Sequence, residues 1–91
     1  MSTALRYVPS PDVLVSHLDG EAILLHMGSK HYFRLNRVGA HVWKLLESGL
    51  DTDSITAQLV ATFDVSSNVA TDAVNALLRD LSEQTLIRQA T

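Results

Sequence analysis

The chain has 91 residues, a 46% apolar fraction, no cysteine and a formal charge of −3. This length suits one small domain, the apolar content argues against disorder, and the missing cysteines exclude disulfides, thiol nucleophiles and cysteine zinc sites. The acidic balance disfavours whole-molecule attraction to nucleic acid or anionic lipid.

The opening MSTALRYVPSPD lacks a basic stretch followed by a long apolar run, so no signal peptide is expected. No apolar run nears the ~18 residues of a spanning helix, and a cytoplasmic location without membrane contact is the expectation. Pro9 and Pro11 disfavour helix and predict an extended segment over 1–12. Three strand-like runs follow, about 13–18, 22–27 and 30–35, separated by Asp19-Gly20 and Gly28-Ser29. Asp-Gly suits a type I′ turn and Gly-X a type II′ turn, so an antiparallel meander is predicted. The turns fix a register that sets Leu18 opposite Glu21, Val15 opposite Leu24, Met27 opposite Lys30, His26 opposite His31 and Leu24 opposite Phe33. In this register Val15, Leu24 and Phe33 share one face, and Leu14, Leu25 and Tyr32 the other.

Beyond the strands the apolar period becomes helical. Asn36 is a good N-cap for RVGAHVWKLLES, with Val38, Val42, Leu45 and Leu46 as its stripe, Trp43 beside it and Gly49 as an αL stop. A second helix starts near Asp51 or Thr52 and turns Ile55, Leu59, Val60 and Phe63 inward. Ser66 or Ser67 caps a third, over 67–84, with Ala70, Val74, Leu77, Leu78 and Leu81 on its core stripe and Val69, Ala73 and Ala76 as small flanking side chains. TLI then closes the domain over 13–87, leaving 88–91 as a tail. Three strands followed by three helices indicate an α+β fold, winged-helix-like in its arrangement.

No catalytic set is visible. The serines sit in turns and caps, Asp51, Asp53 and Asp64 lie where helix starts favour acids, and no phosphate-binding glycine motif occurs. An enzyme is not expected, and neither is a cofactor. His26 and His31 are near enough across strands to share a metal, but a site wants three or four ligands, and no carboxylate completes this one, so no metal is expected. DNA binding is the alternative on fold grounds. The last helix sets Arg79 against Asp72, Asp80 and Glu83, and the middle helix has no Lys or Arg, the wrong sign for phosphate. Lys30, Arg34, Arg37 and Lys44 form a loose basic group elsewhere. The third strand is an edge, which can accept an extended peptide by β-augmentation or pair with a second copy in a homodimer.

The stretch GSKHYFRLNRVGAHVW adds a family. Gly28, Tyr32, Phe33, Leu35, Asn36, Gly39, Ala40 and Trp43 resemble the G-x-Y-F/Y-x-L-N-x-x-G-A-x-x-W pattern of PqqD-like proteins, with two extra residues between the first Gly and Tyr. AVNALLRDLSEQTLI resembles the family's closing segment, with Ala73 at a usual Asp and Thr85 at the closing Gly. The resemblance spans roughly 13–87. It implies a RiPP recognition element, a domain that takes the leader segment of a ribosomally made, modified peptide as an added strand beside the third strand and against the last helix. The motif looks most like free-standing members of lasso-peptide pathways, whose further partners are a separate leader protease and a cyclase. On that resemblance the expected peptide-binding residues are Lys30, His31, Tyr32, Phe33, Arg34 and Leu35 on the strand, with Val69, Ala73, Ala76 and Leu77 on the helix.

Overall fold

Asp19 and Gly20 both take positive φ, 47° and 84°, as a type I′ turn requires. That turn joins β2 (Val13–Leu18) to β3 (Glu21–His26), and β4 (Tyr32–Leu35) pairs on the other side of β3. The register is the expected one, with Val15 opposite Leu24 and Leu24 opposite Phe33. The structure, a computed structural model, describes residues 5–90. Residues 1–4 of the predicted N-terminal segment and residue 91 of the predicted tail lie outside the described residues.

The second turn differs from the type II′ expectation. Gly28 does not take positive φ; Lys30 does, at 65°. The connection is a four-residue loop, closed by the Lys30 N–H donating to the His26 carbonyl at 2.8 Å and the His26 N–H to the His31 carbonyl at 3.0 Å. The cause is the His26 imidazole. Its Nδ1 accepts from the Gly28 and Ser29 N–H groups at 3.1 and 3.2 Å, folding the loop over the ring. Met27 therefore does not pair with Lys30, and the strand starts at Tyr32.

Three helices follow, α1 (Arg37–Glu47), α2 (Thr52–Phe63) and α3 (Ser67–Glu83). Their N-caps are Asn36, Asp51 and Ser66, each side chain accepting an N–H three residues on. The Asp51 carboxyl is held below its ordinary pKa by the Ser54 N–H first, then the Ser54 hydroxyl, with the Arg6 charge adding. α1 ends in a Schellman motif, Gly49 at φ 87°, with Leu50 N–H on the Leu45 carbonyl and Gly49 N–H on that of Leu46. The core is one cluster under the sheet, in which Ala22 and Leu24 of β3, Trp43 of α1 and Leu81 of α3 have no exposed surface. The other sheet face is open, leaving Leu14, Leu18 and Tyr32 more than half exposed.

One pairing has no counterpart in the sequence reading. β1 (Tyr7–Pro9) and β5 (Ile87–Gln89) form a separate antiparallel ribbon, Tyr7 opposite Gln89 and Pro9 opposite Ile87. It is reached through a second Schellman-type end, where Leu86 N–H donates to the Leu81 carbonyl at 2.9 Å and Thr85 N–H to that of Ser82 at 3.0 Å. Thr85 thereby sits at φ 56°, a left-handed position where a β-branched residue is strained. Glycine there relieves the strain but loosens the unfolded chain, so Thr85→Gly is expected to stabilise the fold by about 0.5–1 kcal/mol. The check is urea denaturation, as a rise in midpoint at constant slope.

Candidate functional site

β4 has β3 on one side and no strand on the other among the described residues. Which of its backbone groups face the open side follows from the ladder. The His26 N–H donates to the His31 carbonyl, which marks a bonded position of the ladder, and antiparallel pairs alternate between bonded and non-bonded positions. Leu24–Phe33 and Ala22–Leu35, two and four steps on, are then bonded as well. The N–H and C=O groups of Phe33 and Leu35 thus point into the sheet, and those of Tyr32 and Arg34 point out from the edge.

The side chains divide at right angles to this. Phe33 and Leu35 face the core, Leu35 only 2% exposed. Tyr32, 74% exposed, and Arg34 lie on the open face. Arg34 Nη2 bonds Glu21 Oε1 at 3.0 Å, a solvent-screened pair that orders the side chain more than it stabilises the fold. Lys30 and His31 are exposed at the loop leading in.

Where β4 ends, α3 arrives. Leu35, Asn36, Val38 and Gly39 face Ala73 and Leu77 of α3 across a cleft of about 180 Å³. The structure so brings together Leu35, Ala73 and Leu77 of the expected set. Ala76 is half-buried and Val69 57% exposed on the same helix, but neither lines the cleft. Asn36, Val38 and Gly39 were not anticipated as lining. The signal was present: a helix that starts one residue after a strand must set its first turn against that strand's end. A larger concavity, about 830 Å³, lies between α2 and α3 beside Tyr7, with Val60 and Leu78 in its floor and Thr52, Thr56, Thr71 and Asn75 around it. None of the expected site residues lines it.

A sequence profile of the family described as Coenzyme PQQ synthesis protein D (PqqD) matches residues 21–87. The chain belongs to the PqqD family. Among solved structures, this PqqD-family chain is similar to TbiB1 in complex with the TbiA(beta) leader peptide, at 30% identity and a TM-score of 0.85, over 92% of this chain and 98% of that one. It has the fold of lasso peptide synthetase B1 complexed with the leader peptide, at 23% identity and a TM-score of 0.83, over 91% and 98%. A search of curated protein sequences finds no significant match.

Gly39, part of the family motif, owes its identity to packing. A Cβ there would lie 3.2 and 3.3 Å from Leu35 Cδ2 and Cβ and 3.5 Å from the capping Asn36 Oδ1. The Leu35 Cβ is fixed by the β4 backbone and cannot rotate aside. Alanine gains up to ~1 kcal/mol in helix propensity, but overpacking costs about 1–3 kcal/mol. Gly39→Ala is therefore expected to lower stability by about 1 kcal/mol in chemical denaturation, against the usual direction for a helical glycine.

Proposed function

We propose that the chain is a non-catalytic accessory protein of lasso-peptide biosynthesis. It binds the leader segment of a precursor peptide as an added strand on β4 and presents it to a separate leader protease, with a cyclase acting later. The observation that carries this reading is the junction of an open strand edge and an apolar cleft at one residue, Leu35. Membership of the PqqD family and likeness to two proteins whose structures are leader-peptide complexes support it.

The mechanism is positional. The N–H and C=O groups of Tyr32 and Arg34 offer up to four main-chain hydrogen bonds, giving affinity with little sequence demand. Selectivity comes from the cleft, where Ala73 leaves room for an apolar leader side chain over Leu35 and Leu77. Tyr32, exposed on the open face, adds apolar contact. Lys30 and Arg34 steer acidic leader residues, an effect that fades with salt. A second copy pairing at β4 as a homodimer would compete for the same edge. No observation favours the DNA-binding alternative, since α3 carries Asp72, Asp80 and Glu83 against Arg79.

The outward ladder positions make a sharp test. Proline is tolerated at an edge where its nitrogen faces outward. Tyr32→Pro should remain folded and lose a leader hydrogen bond and the strand geometry, weakening a labelled leader peptide about tenfold or more in fluorescence anisotropy. Phe33→Pro, whose nitrogen faces β3, should lose the fold instead. A folded Tyr32→Pro with wild-type affinity would sink strand addition. Ala73→Glu should weaken the leader by a similar factor while circular dichroism stays unchanged; full affinity in that variant would remove the cleft from the site.

A further inference from the structure

Half of the loose basic group has no part in the β4 edge. Arg37 and Lys44 lie on one face of α1 with Ala40 and His41 between them, at the i, i+3, i+4, i+7 spacing of a single helix stripe. They line a concavity of about 310 Å³ closed by the β2–β3 hairpin and the end of α2. The hairpin brings His17 to it, and α2 brings Phe63 as an apolar wall. An acidic protein of formal charge −3 thus collects two cations and two imidazoles around one hollow.

Two features of this hollow are not explained by folding. Arg37 is the first residue of α1, where the helix dipole disfavours a cation, and no acid stands in that turn to offset it. Neither Arg37 nor Lys44 has an ion-pair partner among the described residues. His41 packs edge-on to Phe63 in the lining, ring centres 5.5 Å apart. The acid in the lining, Glu21, is already held by Arg34 at 3.0 Å. The hairpin tip lies against the Arg37 side chain, within van der Waals reach of its Nε.

We propose that this hollow is an anion site that takes a carboxylate or phosphate head on a short apolar stem. Arg37 and Lys44 hold the oxygens, the exposed His17 imidazole stands at the rim, and Phe63 meets the stem. The site stands whether or not β4 takes a leader. Two-dimensional amide NMR of the full chain tests it, titrating phenyl phosphate, benzoate and inorganic phosphate at low salt. Saturable shifts centred on Gly20, Ala40 and His41 are expected, stronger for the aryl anions than for inorganic phosphate. Arg37→Gln and Lys44→Gln, both at exposed positions, should keep the spectrum dispersed and each weaken binding about tenfold, as for loss of a charge-assisted hydrogen bond. A short peptide with a free C-terminal carboxylate and its amidated twin separate the sources. Binding of the free acid alone points to a peptide end, and binding of phenyl phosphate alone to a small phosphorylated molecule. No saturable shift at tens of millimolar, or equal binding by the doubly substituted chain, would overturn the assignment.

Discussion

Asn36 is the single residue between the end of β4 and the start of α1, and the molecule is arranged around that junction. Its side chain caps the helix at the Gly39 N–H, 2.9 Å away, while its backbone leaves the strand in extended geometry. A connection this short gives the helix no freedom to swing. α1 must cross directly beneath the sheet, which it does by driving Trp43 and Val42 into the same core as Leu24 and Leu35. The tight Leu35–Gly39 approach is the cost of that geometry and also its lock. Because α1 is fixed, α3 meets the end of β4 at a defined place. An exposed edge by itself invites indiscriminate pairing; this one ends in a fixed cleft.

Much of the fold was legible because the signals were local. Asp19-Gly20 set the β2–β3 register through backbone chirality, and Leu24–Phe33 followed from the alternation of the strands. The caps at Asn36, Asp51 and Ser66 and the stop at Gly49 depended only on a few neighbouring residues. The Gly28-Ser29 turn misled because glycine permits positive φ without demanding it. The His26 imidazole, two residues upstream, captured the loop amides and passed the left-handed position to Lys30. The β1–β5 ribbon was invisible for the opposite reason, since three-residue strands roughly eighty positions apart carry no shared local pattern.

The site was legible in part, and its limits have the same origin. Alternation identified Tyr32 and Phe33 as facing opposite ways, but only the completed ladder says which backbone groups reach the open side. On α3 the small residues Val69, Ala73 and Ala76 looked alike in sequence. The angle at which the helix meets β4 then brings Ala73 to the cleft and leaves the other two off it. The basic group and the histidines read as separate surface features. The hairpin and α1 sort them by position, sending Lys30 and Arg34 to the strand and collecting Arg37 and Lys44 with His17 and His41.

The ribbon of β1 and β5 also bears on how such a domain can be joined to other proteins. Tyr7 lies opposite Gln89, and Ala90 N–H donates to the Arg6 carbonyl at 2.8 Å, so both ends of the described chain emerge side by side. No residue of either strand lines the β4–α3 cleft. A tether attached before the first strand or after the last would leave from nearly the same spot and hold the β4 edge at nearly the same distance. A neighbour fused at either end would therefore hang from the same side of the domain.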